Sequence, residues 1–429
     1  MNQIPTYVRW KIVLLKSCIA FMVYFTRNNI SIAGKYIQDE FGFTLQELGW
    51  VFTAFTVSYM IFQIPGGIIA QKYGPRKMLT IMLISWGVLT ILTGLLPGLL
   101  YSGTTAVLAV LIVIRLFVGV FQAPYFPIST GIVERWFPSS KIGIATGVGS
   151  FTLYFGGAAV GPIIVFLIKE FGWRASFYLT SPAVFVLAAV WWWYCRDKPE
   201  EHTGVNNAEL DLINADDVIE KTNTEKMHWF SVLKQKSVLF ITLSYLCQGY
   251  VAYFFYNWLF IYLINDRGFS DLEGGFASAV PWICGAFAAI AGGYFCDYMV
   301  KRYNPGKSLK YISIGSLFLV AGFMYAGAIV NDKYMALLLL SICYSFVQVT
   351  EIAYWQATAF IGGDQTTVAC SVLNTGGNVM GILAIPLLAF FLEFHGAQMA
   401  LASCSLFAVL AAFFWLFVDA NKQIKDSSK

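Results

Sequence analysis

The sequence predicts an all-α membrane protein with twelve transmembrane helices, arranged as two six-helix bundles. Of its 429 residues, 58% are hydrophobic and only 12% are charged, whereas soluble domains carry about 25% charged residues. Twelve apolar stretches have about the 20 residues that a helix needs to cross a bilayer. One long polar segment divides them six and six. Segments of about ten residues with alternating polarity, which are typical of outer-membrane barrels, do not occur.

The polar segment also predicts the domain organisation. Residues 1–195 form the predicted N-terminal bundle, 196–235 a cytoplasmic linker with a short amphipathic helix, and 236–429 the C-terminal bundle. The predicted spans, in chain order, are residues 12–34, 46–70, 78–97, 105–134, 142–168, 174–194, 236–263, 274–296, 311–330, 334–361, 367–392 and 397–418.

Basic residues predict the orientation. Most of the 28 Lys and Arg residues lie in the two ends of the chain, the linker and alternate loops. Because cytoplasmic loops are enriched in Lys and Arg, both termini are expected in the cytoplasm. The first apolar run is long and contains Arg27, so we expect a retained span and not a cleaved signal peptide. The expected protein is a multi-pass monomer, in contact with lipid, in the cell inner membrane.

Composition argues against several functional classes. The eight cysteines lie mostly inside apolar segments without a CxxC pair, and the three histidines are scattered. We therefore expect no metal site and no cofactor. No Ser/His/Asp or Cys/His constellation appears within the spans, so an enzyme is not expected. The charges fall in loops between apolar stretches and do not indicate nucleic-acid binding.

The two halves of the chain repeat one loop motif. Gly67–Gln71 follows the second span of the first half, Gly293–Asp297 follows the second span of the second half, and basic residues follow each. Internal repeats of this kind are typical of transporters, in which two bundles move about a site near the bilayer midplane.

Further motifs narrow this hypothesis to a family. They are Tyr24–Ala33 in span 1, Arg115–Pro127 in span 4 with Trp136–Pro138 after it, Pro199–His202 and Ala208–Leu210 in the linker, Trp258–Leu263 in span 7 with Arg267–Ser270 after it, and Asn374–Asn378 with Pro386 in span 11. Over nearly the whole chain, these features resemble the anion:cation symporter family of the major facilitator superfamily. That family includes bacterial sugar-acid transporters and the animal phosphate, sialic acid and vesicular glutamate carriers. The resemblance implies the major facilitator fold and transport of an organic anion.

Three positions depart from the family pattern. The resemblance implies acids that take part in proton coupling at the positions of Thr26 and Gln122, and an Asp at the position of Gln71. None of these side chains can titrate as a carboxylate. The family's usual proton pathway is therefore in doubt for this chain.

Arg27 and Arg115 are the leading candidates for substrate binding. A charged residue at the middle of a span costs about 2.5–3.5 kcal/mol on insertion scales, and no acid lies near either arginine in the sequence. A substrate carboxylate or phosphate would match the guanidinium fork. Gln122 shares a helical face with Arg115 and is predicted to bind substrate hydroxyls. The alternatives are arginines bonded to helix carbonyls and a glutamine that bonds between helices.

Glu351 is the coupling candidate of the second half, because a carboxylate within a membrane span is a functional hypothesis by default. The alternative is a structural carboxylate with a permanent partner. Further substrate-binding candidates are Tyr59 and Tyr154 in the first half, and Gln248, Trp355, Asn374 and Asn378 in the second. For the aromatic residues, simple packing is the alternative.

The repeated loop motif supplies the gating candidates. By the family resemblance, Gln71, Arg76, Asp297 and Arg302 look like a cytoplasmic latch that holds the halves together when the transporter is open to the outside. The alternative is a solvated basic loop that only sets orientation.

We expect a secondary transporter that imports a small organic anion, such as a sugar acid, carboxylate or polycarboxylate, by alternating access coupled to protons or sodium. An uncoupled uniporter, an exchanger, or an exporter of an organic anion such as a carboxylate siderophore is the alternative. An anion-sensing membrane receptor is a remote one, since no signalling domain accompanies the spans.

Overall fold

The computed structural model describes residues 4–98, 103–138, 141–214, 232 and 234–422, without the side chains of Gln71, Asp364 and Thr367. This part of the chain is almost entirely helical and contains no β-strand, which confirms the predicted fold class. Eleven helical segments within it are long and apolar enough to cross a membrane. The first predicted span lies in a twelfth helix of 34 residues, whose Lys16 and Arg27 make it more polar than the others.

The chain divides into two compact units. The first comprises Met1–Phe43 and Ala54–Thr222, and the second Thr44–Thr53 and Asn223–Lys429. In the described part, the helices up to the linker are α1 (Val8–Phe41), α2 (Leu45–Tyr73), α3 (Pro75–Leu95), α4 (Thr104–Gln122), α5 (Tyr125–Trp136), α6 (Ile142–Phe171), α7 (Trp173–Tyr194) and the short α8 (Asn207–Ile213).

The second group of helices begins after the linker. A π-helical turn, Phe254–Trp258, separates its first two helices, and a 3₁₀ turn, Gly363–Gln365, separates its fifth and sixth helices. The helices are α9 (Lys236–Tyr253), α10 (Leu259–Asn265), α11 (Asp271–Arg302), α12 (Pro305–Ile329), α13 (Lys333–Gly362), α14 (Thr366–Phe394) and α15 (Gly396–Trp415).

Two predicted spans are interrupted in the structure. Span 4, expected to be continuous over 105–134, ends as α4 at Gln122 and resumes as α5 at Tyr125. Pro124 lies between them, where a residue without an N–H cannot continue the backbone ladder. Span 7 contains the π-helical turn, whose wider backbone is common at functional sites and has no clear sequence signal.

Local sequence explains several helix starts. Asn304 and Asp332 accept backbone N–H groups at the starts of α12 and α13, and Ser270 forms a capping box with Glu273 at the start of α11. Within the first unit, α1 packs against α6 and α7, and α3 packs against α7. Within the second, α13 packs against α11 and α12, and α9 against α14 and α15.

The predicted short helix of the linker is present as α8, and its Glu209 binds the start of α1. The Glu209 carboxylate is fully buried. It accepts the backbone N–H of Val8 at 3.1 Å and that of Arg9 at 3.0 Å, the Arg9 guanidinium at 3.2 Å and the Thr6 hydroxyl. The first N–H groups of a helix have no partner within it and favour a negative charge. Glu209 therefore caps α1 from a distant part of the chain.

Glu209 keeps its charge in this position. Burial acts to raise its pKa, but the hydrogen bonds from Thr6, Arg9 and Val8 and the positive charge of Arg9 outweigh burial, and the pKa lies below its ordinary value. Since the pKa is lower in the folded chain than in the unfolded one, the carboxylate stabilises the fold above the ordinary glutamate pKa of about 4.3. That contribution is lost as the pH falls through the lowered pKa.

Replacing Glu209 with Gln should therefore loosen the start of α1. Breaking one side of a buried ion pair costs about 3–5 kcal/mol, so we expect at least tenfold faster hydrogen exchange at the amides of Val8 and Arg9. The exposed Glu201 supplies the control Glu201→Gln, which should change nothing. Acidification of the wild type through the pKa of Glu209 should reproduce the loosening. Equal exchange in both variants would show that the carboxylate does not hold α1.

Candidate functional site

Two arginines of the first unit converge on one aromatic ring. The guanidinium carbon of Arg27, on α1, lies 4.5 Å from the centre of the Phe55 ring, and that of Arg115, on α4, lies 4.9 Å from it. The two guanidinium carbons can thus be no farther apart than the sum of these distances. Arg27 also lies 5.1 Å from the ring centre of Tyr59 and 5.7 Å from that of Tyr24. Aromatic rings attract cations but do not neutralise them.

No acidic side chain of the described first unit forms an ion pair with either arginine. Arg115 is 5% exposed, and its Nε has no hydrogen-bond partner among the described residues. The only acidic residues of α1 are Asp39 and Glu40, at its end. The part of α2 after Thr53, α3 and α4 contain none. The buried Arg115 and the half-buried Arg27 are neighbouring positive charges, which repel each other unless an anion compensates them. The arrangement therefore favours binding of an anion.

Gln122 adds an amide to the same helix face. It lies seven residues after Arg115, which is two turns of α4, and is 1% exposed. Neither its Oε1 nor its Nε2 has a hydrogen-bond partner in the described part of the chain. A buried amide without partners is costly, and this one can both donate and accept. A ligand with hydroxyl or carboxylate groups would satisfy it.

Gly119, between Arg115 and Gln122, lets α4 approach α2. A Cβ at this position would overlap the carbonyl oxygen of Phe55 and the hydroxyl of Ser58, and would lie 3.0 Å from the backbone nitrogen of Tyr59. The glycine thus brings α4 against the segment of α2 that carries Phe55. Phe55 was not among the candidates from the sequence, because a shared aromatic ring becomes apparent only when three helices are packed.

The other first-unit candidates differ in their placement. Tyr59 is buried, and its ring stacks on Phe55 with ring centres 5.5 Å apart. Tyr154 lies half-buried on α6. Asn28, which was not a candidate, is buried next to Arg27, and its Nδ2 has no partner among the described residues. The sequence signal for Asn28 was its position beside Arg27, as a polar residue within an apolar span.

In the second unit, three neutral side chains donate hydrogen bonds to Glu351. The Tyr245 hydroxyl lies 2.6 Å and the Trp355 Nε1 2.8 Å from Oε1, and the Gln248 Nε2 lies 3.2 Å from Oε2. No Lys or Arg of the described second unit forms an ion pair with it. Gln248 is 2% exposed, and its Oε1 has no partner in the part that the structure describes.

The structure thus brings Gln248, Trp355 and Glu351 together on α9 and α13. Asn374 and Asn378 lie half-buried on α14. Between them, Gly377 lies against the Tyr245 ring, and a Cβ there would be 2.6 Å from the nearest ring carbon. The α14 backbone next to Asn378 therefore supports the tyrosine that binds Glu351.

Three of the four gating candidates, Arg76, Asp297 and Arg302, have hydrogen-bond partners within their own unit. Arg76 donates to the Trp192 carbonyl oxygen at 2.6 Å, and its backbone N–H donates to Asp197 at 2.8 Å. In the second unit, Asp297 and Arg302 bind different residues. Gln356 donates to Asp297 at 2.8 Å, and Arg302 donates to the Tyr298 hydroxyl at 2.6 Å. The side chain of Gln71 lies outside the described part.

Metal-ligating residues are scattered in this structure. No group of three or more His, Cys, Asp or Glu side chains that could hold a metal ion occurs among the described residues. All eight cysteines are free thiols. His202 packs edge-on against Trp136 and Tyr194, with ring centres 6.0 Å and 4.9 Å apart.

Comparison with known proteins shows the family of this chain. Residues 17–368 match the model of the Major Facilitator Superfamily. The chain is 27% identical to the probable galactarate/D-glucarate transporter of Bacillus subtilis (strain 168), over 98% of this chain and 94% of the relative. It is 28% identical to the hexuronate transporter of the same bacterium, over 90% of each chain. It is also 28% identical to the probable sulfoacetate transporter of Cupriavidus necator, over 88% of this chain and 86% of the relative.

Solved structures show the same fold. A bacterial homolog of the human lysosomal transporter Spinster superposes with a TM-score of 0.76 at 15% identity, covering 96% of each chain. A D-xylose-proton symporter superposes with a TM-score of 0.75 at 12% identity, covering 97% of this chain and 99% of the other.

Replacing Gly119 with Ala should separate α4 from α2 and disturb both arginines. Overpacking typically costs about 1–3 kcal/mol, so we expect a lower melting temperature of the purified protein. Gly147 on α6 is the matched control, because a Cβ there would meet nothing within 4 Å. Gly147→Ala should melt like the wild type. If the two variants melt alike, the contact between α4 and α2 is not close in solution.

Proposed function

Because the chain belongs to the major facilitator superfamily, we propose that this multi-pass membrane protein is a secondary transporter of a small organic anion. The observation that carries the proposal is the pair of guanidinium groups on Phe55, without an acidic partner in the described first unit. Relatives over nearly the whole chain are named as transporters of galactarate or D-glucarate, hexuronate and sulfoacetate. These compounds share a carboxylate or sulfonate charge.

The chemistry of the site suits a hydroxylated carboxylate. Each arginine can offer two parallel N–H groups to one carboxylate, a geometry that an ammonium group cannot match. The unpartnered amide of Gln122 can donate to one oxygen of the substrate and accept from a hydroxyl. The ring of Phe55 holds both guanidinium groups in place before the substrate arrives, which lowers the ordering cost of binding. Alternating access then carries the bound anion across the inner membrane.

Coupling is assigned to Glu351. The Thr26 hydroxyl donates a hydrogen bond to the carbonyl oxygen of Met22, at 2.8 Å, and the Gln122 amide cannot titrate. Neither residue can therefore supply a proton at the positions where the family resemblance implies acids. Glu351 is the carboxylate near the middle of a span in the second half. We propose proton-coupled import through this group, with both termini on the cytoplasmic side, as the distribution of basic residues favours.

One observation favours a second candidate, an uncoupled exchanger or uniporter. The three neutral donors around Glu351 can hold it as a permanent carboxylate that positions Tyr245 and Trp355. In that case, substrate exchange would proceed without a proton. The two candidates differ in their response to a pH gradient.

Removing either arginine should abolish binding. For Arg27→Ala and Arg115→Ala we expect at least a hundredfold weaker binding of D-glucarate, hexuronate or sulfoacetate, whichever binds the wild type, because a charge-assisted contact is lost. Lys at either position should restore little of it, since an ammonium group lacks the fork. Isothermal titration calorimetry on protein that elutes as a folded species measures this. Wild-type affinity in both Ala variants would falsify the anion site.

Glu351→Gln separates the two transport modes. The substitution keeps size and hydrogen bonding but removes titration, so it should spare counterflow, which needs only substrate exchange, and eliminate accumulation driven by a pH gradient. Both are measured in proteoliposomes with radiolabelled anion. Undiminished accumulation in the variant would remove Glu351 from coupling. A wild type that ignores a pH gradient would support the exchanger or uniporter.

A further inference from the structure

Lys16 is a buried cation in α1 that the proposed binding site does not use. It lies eight residues after the start of the helix and is 3% exposed. The adjacent Ser17 is 1% exposed. Long lysine side chains near the end of a membrane helix usually extend to water. This one does not.

Lys16 has no compensating partner among the described residues. It forms neither an ion pair nor a hydrogen bond there, and the hydroxyl of Ser17 is likewise without a partner. The buried Arg9, by contrast, is bound to Glu209, and Arg27 and Arg115 lie over aromatic rings. A nearly buried cation without a counter-charge carries a desolvation cost that an anion would offset. Lys16 is therefore a candidate position for an anionic ligand.

The helix opposite Lys16 leaves room for its ammonium group. Gly149 of α6 is buried, and a Cβ there would lie 3.0 Å from Nζ and 3.3 Å from Cε of Lys16. The nearest glycines on the same helix, Gly143 and Gly147, have nothing within 4 Å of such a Cβ. Gly149 is thus the glycine that this lysine faces.

Lys16 and Arg27 share one face of α1. They are eleven residues apart, close to three full turns, which separates them by about 16 Å along the helix axis. A six-carbon sugar acid is shorter than this distance. A substrate of that size therefore contacts the two cations one after the other and not together.

We propose that Lys16 is a second carboxylate-binding position, which the anion occupies as it moves between the two arginines and the N-terminal end of α1. The inference rests on the proposed function, since it needs an organic anion that travels along α1. An ammonium group suits a transient position, because it binds as a point charge on a flexible stem and imposes no fixed geometry. The arginines select the anion, and Lys16 speeds its passage.

The test compares binding with transport in Lys16→Met, which keeps the length of the side chain and removes its charge. Counterflow of galactarate, D-glucarate, hexuronate and sulfoacetate into proteoliposomes identifies the anion that the wild type carries, and calorimetry gives its affinity. We expect Lys16→Met to bind that anion within twofold of the wild type and to carry it at least tenfold more slowly. Lys16→Arg should recover most of the rate. Lys11 lies exposed on the same helix, and Lys11→Met is the control with wild-type rate.

The other outcomes overturn the inference. A wild-type rate in Lys16→Met means that the anion does not use this position. A loss of affinity as large as the rate loss means that Lys16 belongs to the arginine site. A lowered melting temperature and equal loss of rate in Lys16→Met and Lys16→Arg mean that the lysine is structural. If the wild type carries none of the four anions, the proposed function fails first, and this inference fails with it.

Discussion

The structure of the first unit depends on positive charge that its own residues do not neutralise. Arg27 and Arg115 share the ring of Phe55 without an acidic partner in the described unit, and Lys16 is buried on the same helix as Arg27. Charges of low exposure carry a desolvation cost that only an opposite charge or good hydrogen bonds can offset. A resident acid would neutralise them permanently. Without one, an anion that binds and leaves can contribute that energy in each cycle.

In the second unit, neutral groups stabilise a carboxylate within the membrane span. Glu351 is surrounded by a phenol, an indole and an amide, all of which donate hydrogen bonds. Such donors stabilise the carboxylate without cancelling its charge. If Glu351 were protonated on Oε2, its Oε1 could still accept the hydrogen bonds from Tyr245 and Trp355. Neutral donors are therefore compatible with either protonation state, which a fixed ion pair would not be, and this is the physical reason that coupling at Glu351 is a reasonable proposal.

Sequence patterns predicted the features that depend on local composition. The spans, the short linker helix and the two intramembrane arginines follow from hydropathy and from the cost of charge in a membrane. Features that depend on packing were not predictable. The ring of Phe55, the interruption at Pro124, the π-helical turn and the capping of α1 by Glu209 each join residues that are far apart in sequence or lack a composition signal. Asp297 and Arg302, which the family resemblance assigns to a latch, each form a hydrogen bond with another neighbour in the structure.

The departures from the family pattern and the additional Lys16 both make the first unit more positive. Thr26 and Gln122 stand where the resemblance implies acids, so the first unit has less negative charge near its arginines than the family pattern implies, and Lys16 adds positive charge on the same helix as Arg27. In a transporter whose acids exchange protons, the substrate anion and the proton together leave the site's charge nearly constant. In the transporter proposed here, the anion alone compensates Arg27 and Arg115. Under the proposed function, affinity would be set mainly by the charge of the substrate, and a coupled proton would act at Glu351 in the other unit.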